Sequence, residues 1–314
     1  MLHEPDSLIW YTATLTLTDQ IGKVSSRRVA LVEGPSGWGE AAPLVGVGDH
    51  SPFAVLARRR SLGAAIEAAF GTWPTAVRSR VEVNATVGAI APEDVEGYVE
   101  AHDLCRYNAV KVKGGDSQTV DRVAAMRSAL GSEVAIRVDA NCAWDVGTAV
   151  AEIGRMRAYD VDYIEDPVGS ISELVSLRSR YRGSVRIAVD EPVWEVRQAR
   201  SLPKSAADVL IVKVQTMGGF GAAARVIEAA GRPIVVTSAL GSSVGLAMDV
   251  AFACSDLDLW GPCGLATSEL LRSDLTEDTF DPHGIFIEPR KVVPDLARLT
   301  PAVPDDLRTL GVIA

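Results

Sequence analysis

From residue 81 onward the sequence repeats one phrase: a short apolar run, a polar turn, then a stretch whose apolar residues recur every three and four positions. The apolar runs cover residues 83–87, 109–113, 134–139, 162–165, 187–190, 209–213 and 234–237. They start roughly 25 residues apart, the length of one strand and its crossover helix. The intervening stretches 117–130, 146–158, 171–181 and 220–230 carry the helical period. A parallel sheet covered by helices follows, either closed as a barrel or open and doubly wound, and periodicity alone does not separate the two.

The ends of the runs decide for the barrel. The second ends in Lys111-Val112-Lys113, the third in Asp139, the fourth in Glu165, the fifth in Asp190 and the sixth in Lys213. In a parallel barrel all carboxyl ends open on one face, so five consecutive strands deliver ionisable groups to one mouth. Asp139, Glu165 and Asp190 supply hard oxygen donors suited to Mg²⁺, with Mn²⁺ as a substitute. The other reading pairs the acids with the lysines as an internal ion network. Two lysines against three acids leave negative charge over, which favours a metal. Strands two and six stand across an eight-stranded ring, so Lys113 and Lys213 would approach a bound substrate from opposite sides. Lys111 shares the inner face with Lys113, and its charge would favour the neutral, basic form of that neighbour.

The first third reads differently. Residues 8–17 and 28–33 are strand-like, the polar stretch 18–27 reads as a hairpin loop, 34–37 as a turn and the alanine-rich 52–70 as a helix. After residue 253 the pattern loosens. An eighth strand is expected near 257–259, and strand-like pieces at 285–288 and 291–293 suggest a tail returning to the N-terminal unit. The expected division is an α+β capping domain over 1–80, a (β/α)₇β TIM-like barrel over 81–275 and a C-terminal segment, 276–314, that rejoins the cap.

Within the 314 residues, 31 Lys and Arg stand against 41 Asp and Glu, a net charge of −10, which repels nucleic acid and anionic lipid. No apolar run approaches the roughly 20 residues of a membrane span, and no lysine-led apolar leader opens the chain, so a cytoplasmic protein is expected. Cys105, Cys142, Cys254 and Cys263 lack metal-binding spacing and read as buried thiols. The four histidines, His3, His50, His102 and His283, are scattered, which leaves the chemistry to carboxylates and lysines.

Taken in order, Lys111-Val112-Lys113, Val138-Asp139-Ala140-Asn141, Tyr163-Ile164-Glu165-Asp166-Pro167, Val189-Asp190-Glu191-Pro192 and Val212-Lys213 resemble the enolase superfamily, and within it the muconate-lactonising subgroup. Gly37-Trp38-Gly39-Glu40-Ala41-Ala42-Pro43 resembles the capping-domain signature of that family, so the resemblance covers nearly the whole chain. It implies a capped (β/α)₇β barrel, Mg²⁺ held by Asp139, Glu165 and Asp190, and a small carboxylate substrate whose α-proton leaves to Lys113 while Lys213 stabilises the enediolate. The run from Thr237 to Gly245 and Cys263-Gly264-Leu265-Ala266-Thr267 resemble the o-succinylbenzoate synthases of actinobacterial type, dehydratases of menaquinone synthesis.

The remaining candidates are less constrained. Ser238 and the amides of Gly241, Ser242 and Ser243 stand where a helix start would attract a substrate carboxylate, or simply cap that helix. Asn141 would orient a metal ligand or serve as a turn residue. Arg27, in the expected loop, could reach a carboxylate, and the loops 18–27 and 44–51 could close over the site. An N-acylamino acid racemase or dipeptide epimerase would use the same lysines. The epimerases carry an Asp-x-Asp at the end of the eighth strand, and Asp256-Leu257-Asp258 has that spacing but precedes the expected strand. A non-catalytic metal-binding barrel would need neither lysine. Nothing in the sequence sets an oligomeric state.

Overall fold

The computed structural model describes residues 8–21, 24–46, 49, 51–302 and 307. Its strands are β1 Trp10–Ile21, β2 Val24–Gly34, β3 Gly37–Ala41, β4 Val81–Glu82, β5 Ala85–Val87, β6 Ala109–Lys113, β7 Ala135–Asp139, β8 Val161–Glu165, β9 Arg186–Val189, β10 Val209–Val212, β11 Ile234–Val236, β12 Phe286–Ile287 and β13 Thr300–Ala302. The helices are α1 Pro52–Phe70, α2 Val95–Ala101, α3 Thr119–Leu130, α4 Val146–Met156, α5 Ile171–Arg180, α6 Val196–Ser201, α7 Val214–Met217, α8 Phe220–Ala230 and α9 Ser243–Ala253.

Strands β5 to β11 pair in sequence order, every pair parallel, as one curled seven-stranded sheet. Both faces are buried, as a parallel sheet covered by helices requires. Alternate residues divide between them. Val110, Val112, Ile136, Val138, Ile164, Val189, Leu210 and Val212 join the large core shared with the helices, while Tyr163, Ala188, Val209, Ile211 and Val235 form a separate cluster inside the ring.

The ring closes through residues 258–264. Ile234 N donates to Asp258 O and Gly264 N to Val236 O, at 2.9 Å each, while Cys263 N donates to Glu82 O at 2.8 Å and Asn84 N to Cys263 O at 2.9 Å. The parallel bridges Ile234↔Leu259, Thr237↔Gly264 and Val83↔Cys263 complete the eighth position. It therefore runs past the expected 257–259. Gly261-Pro262 interrupts it, and Pro262 offers no ladder donor, so only isolated bridges form.

The second sheet has the order β13-β1-β2-β3 and is antiparallel throughout, so β13 pairs with β1 of the N-terminal hairpin; of the pieces expected to return there, 285–288 instead gives β12, which pairs with β4, and 291–293 forms no strand. The hairpin loop expected over 18–27 is not there: β1 runs to Ile21 and β2 restarts at Val24. Long-range contacts sustain the extension, since Leu17 bridges Leu271 and Thr18 Oγ1 donates to Leu270 O at 3.2 Å. Helix α1 lies across this sheet. Ser51 caps it by accepting from Ala54 N at 3.2 Å, Pro52 opens it, and such a cap stabilises by about 1 kcal/mol. A Cβ on Gly39 would sit 1.9 Å from Ala65 O, so glycine is required for β3 to touch the helix this closely. No described helix is long and apolar enough to cross a membrane.

Candidate active site

The ends of β6, β7 and β8 and the residues that follow β9 and β10 bring Lys111, Lys113, Asp139, Glu165, Asp190 and Lys213 to one mouth. Lys113 pairs in register with Asp139, and Asp139 with Glu165, so the three stand side by side across adjacent strands. Above them opens a cavity of about 680 Å³, lined by Lys111, Lys113, Asp139, Lys213, Ser238 and Asn141 among others. That volume suits a small organic substrate. β6 and β10 are four places apart in the ring, which puts Lys113 and Lys213 on opposite walls.

Each lysine is engaged. Lys111 Nζ lies 2.8 Å from both Asp139 Oδ2 and Glu165 Oε1. Lys113 Nζ donates to Asp139 Oδ2 at 2.8 Å and Asn141 Oδ1 at 3.0 Å, and Lys213 pairs with Asp190. Burial opposes the charge on Lys111, but Asp139 and Glu165 overrule it and hold the amine well above the usual lysine range. Burial likewise opposes the charge on Lys213, and Asp190 and Glu165 reverse the direction. Asp139 is buried too, yet Lys111 and Lys113 pull it far below an ordinary carboxyl. Glu165 goes the other way, pushed up to about 7 by burial and by the charge of Asp139 beside it.

Among the described residues no three His, Cys, Asp or Glu side chains converge on a point as a metal cluster. The donor chemistry nevertheless suits a divalent cation. Glu165 Oε2 is enclosed without a hydrogen-bond partner, and Asp139 and Asp190 contribute to the field that raises its proton affinity. An all-oxygen set with one unsatisfied carboxylate oxygen is the kind of site a hard cation relieves.

The neighbouring loop is built to hold Asp190 still. Asp166 Oδ1 accepts from Asp190 N at 2.9 Å and Oδ2 from Glu191 N at 2.8 Å, while Trp194 Nε1 donates to Asp190 Oδ1 at 3.2 Å. Glu191, Thr237, Leu240, Gly264 and Thr267, all within the quoted motifs, also line the cavity, with Leu44 from the expected closing loop and Thr86, which no motif contains. Thr86 is legible in retrospect, because it pairs in register with Lys111.

Three expected binding groups fare differently. Ser238 lines the cavity, with its hydroxyl 2.7 Å from Thr267 Oγ1 and accepting from Leu240 N at 3.1 Å. Gly241 and Ser242 are taken by the protein's own acid. Glu40 accepts from Ser242 N at 3.0 Å and from its hydroxyl, and a Cβ on Gly241 would lie 2.2 Å from Glu40 Oε1. Asp274 holds the next amide, Ser243 N, at 3.1 Å. The start of α9 does attract carboxylates, as helix starts do, but they come from the chain itself. Arg27 is not an exposed loop residue. It is buried in β2, its guanidinium donating to Ala42 O at 2.6 Å and Pro43 O at 2.9 Å, next to cavity-lining Leu44.

The cysteines are all free, and only Cys254 and Cys263 are buried; Cys105, in the short 3₁₀ helix Leu104–Arg106, is exposed, and Cys142, in the turn after β7, is partly so. His3, His50 and part of the expected loop 44–51 lie outside the described residues. Asp256-Leu257-Asp258 leads into the closing segment, whose cavity-lining residues are Gly264 and Thr267 further along the chain.

A capped parallel barrel with acids and lysines on its strand ends is the build of the enolase superfamily, and residues 91–295 match the family described as Enolase C-terminal domain-like. The chain belongs to that superfamily, in the muconate-lactonising and o-succinylbenzoate-synthase-like subgroup. It is 41% identical over 271 residues to the o-succinylbenzoate synthase of Thermobifida fusca, across 84% of this chain and 82% of that one. The enzyme of the same name from Mycolicibacterium smegmatis is 36% identical over 282 residues, across 88% of this chain and 84% of the other. Among solved structures, the muconate lactonizing enzyme from Pseudomonas fluorescens superposes with a TM-score of 0.79 at 20% identity, covering 97% of this chain and 98% of that one, which speaks for the fold alone.

Proposed function

We propose that this chain is an o-succinylbenzoate synthase, dehydrating 2-succinyl-6-hydroxy-2,4-cyclohexadiene-1-carboxylate to 2-succinylbenzoate with Mg²⁺ bound, as a step of menaquinone synthesis. The observation that carries the chemistry is the placement of Lys113 and Lys213 on opposite walls of one cavity with three buried acids on the strands between. The curated relatives that share the subgroup support the particular substrate.

In this reading Asp139, Glu165 and Asp190 would hold Mg²⁺, which when bound would supply positive charge near the substrate carboxylate. Lys113 removes that proton and then returns it to the departing hydroxide on the same face, a syn elimination. Lys213 keeps its positive charge on the opposite face and stabilises the negative charge that builds on the enediolate. Lys111 stays charged between Asp139 and Glu165 and fixes both. Ser238 and Thr267 offer hydroxyls to the succinyl end, and Arg27 acts from behind the wall by holding the strand end that carries Leu44.

An N-acylamino acid racemase or a dipeptide epimerase would use the same two lysines, but the dipeptide epimerases of the family receive a substrate ammonium with an Asp-x-Asp at the end of the eighth strand. Here Gly264, at the end of that strand, and Thr267 just beyond it line the cavity, with Asp256-Leu257-Asp258 at the strand's beginning. The test is to assay purified protein with Mg²⁺ against the cyclohexadiene and against N-succinyl amino acids. Formation of 2-succinylbenzoate at a kcat/KM well above any racemisation is expected; racemisation without dehydration would overturn the reading.

A further inference from the structure

Of the three acids at the mouth, Asp190 alone stands outside a strand. It follows β9, whereas Asp139 and Glu165 end β7 and β8, so its position depends on the loop that carries it. That loop begins as a tight turn, in which Val193 N donates to Asp190 O at 3.0 Å, and the turn brings Trp194 back beside the acid that opens it. The indole is buried, and its Nε1 donates to Asp190 Oδ1 at 3.2 Å, while Lys213 pairs with Oδ2. Packing alone would be served by any large apolar side chain at position 194. The N–H directed at Asp190 is what an indole adds.

Trp194 is itself held from the cap. Its ring lies against that of Phe53, in the first turn of α1, with centroids 5.2 Å apart. Arg60, seven residues further along the same face of α1, pairs at 2.9 Å with Glu195, the residue after the tryptophan. Two contacts about 10 Å apart along the helix therefore fasten this loop to the cap. The start of α1 is fastened in turn to the segment that reaches the cavity. Arg58, buried in the helix, donates to Gly46 O at 3.0 Å and Asp49 O at 2.6 Å, just beyond cavity-lining Leu44. A cleft of about 450 Å³ opens between α1 and the loop after β9, and Glu191 belongs both to its wall and to that of the active cavity, so the loop stands between the two.

We propose that Trp194 is a positioning residue for Asp190, set by the cap through Phe53 and the Arg60–Glu195 pair, so that the seating of the cap completes the cation site at the strand ends. The indole fixes which way the carboxylate faces, and the cap ring fixes the indole. The inference rests on the reading of Asp190 as a Mg²⁺ ligand.

Mg²⁺ affinity without substrate is a readout that a merely structural role would not move. It is measured by calorimetric titration of the full-length chain, beside melting temperature and turnover. Trp194→Phe keeps a ring against Phe53 and loses the N–H. Partners of metal ligands are worth about 10- to 100-fold in affinity, so the Mg²⁺ Kd should rise about tenfold or more, and the Mg²⁺ concentration for half-maximal turnover with it. Phe53→Ala leaves the indole but removes its support. Phe53 is half exposed, so this variant should fold, with a severalfold higher Kd. Phe53→Tyr keeps the ring and should match wild type. An unchanged Kd in Trp194→Phe overturns the proposal even if the melting temperature falls, as does an unchanged Kd in Phe53→Ala or a tyrosine variant as impaired as alanine. A wild type that binds Mg²⁺ but dehydrates nothing fails the functional reading alone, and the Kd comparison still decides this inference; a wild type that binds no Mg²⁺ overturns both.

Discussion

Glu40, on the last strand of the cap, is completely buried against Ser242, the residue that caps helix α9 of the barrel, and accepts its amide at 3.0 Å. Ser242 in turn accepts from Val244 N at 3.1 Å, so one acid joins the cap to the helix that starts beside the cavity.

This joint makes stability depend on pH in a stated direction. Burial pushes Glu40 up to about 8, against about 4.5 for the unfolded chain. Between those values the unfolded chain gives up its proton and the folded one keeps it, so stability falls as pH rises, by up to about 1.4 kcal/mol per pH unit from this group. Glu40→Gln carries no proton to lose. Its melting temperature should therefore fall less steeply than that of wild type between pH 5 and 8, and parallel profiles would refute the assignment.

The acids of the mouth predict a metal requirement. Asp139→Asn, Glu165→Gln and Asp190→Asn each remove a charged donor, so each should weaken Mg²⁺ binding and lower turnover by about 10² or more. Calorimetric titration with Mg²⁺ checks the first effect without any substrate. Chelation of wild type should abolish turnover, with Mg²⁺ or Mn²⁺ restoring it; full activity in excess chelator would remove the metal from the account.

Much of this site was legible because strand ends obey a period. Once alternate residues of a parallel strand are assigned to one face, Lys111 and Lys113, Asp139, Glu165, Asp190 and Lys213 fall on the inside without further information. What escaped has no local signal. Glu40 and Ser242 are partners across 202 residues, so the helix start that reads as an anion site gives no hint that the chain fills it. Arg27 stands in a polar stretch and reads as exposed; only the carbonyls of Ala42 and Pro43 account for its burial. The eighth position failed for the opposite reason, because Gly261-Pro262 breaks the apolar run that would have marked it.

Arg27 yields a prediction of its own. Arg27→Ala leaves two carbonyls without their charged donor and frees the segment leading to Leu44. Lost bonds to a buried charged group cost about 1.5–3 kcal/mol, so the melting temperature should drop. Since the residue supports the wall rather than the reacting atoms, KM should rise several times more than kcat falls. Steady-state kinetics with the cyclohexadiene measures the split, and a collapse of kcat at unchanged KM would place Arg27 in the chemistry instead.

Lys113 and Lys213 have unequal duties if the reaction is a dehydration, and equal ones if it is a racemisation. With Lys113 as the base, Lys113→Ala should abolish exchange of the α-proton, and Lys113→Arg should not rescue it, because a guanidinium stays protonated at any working pH. Lys213 has only to present positive charge opposite the base, and Asp190 already holds its amine. Lys213→Arg keeps that charge, so measurable dehydration should survive, reduced by the larger head in a crowded wall. A racemase needs a separate base for each enantiomer and would lose two-way interconversion in both arginine variants. Wild type and both variants are therefore run with the cyclohexadiene, and with each enantiomer of an N-succinyl amino acid in deuterated water. Dehydration lost with Lys113→Arg but retained with Lys213→Arg assigns the base to Lys113. Equal loss in both, together with rapid interconversion of enantiomers by wild type, would transfer the site to racemisation and leave the barrel and its two opposed lysines in place.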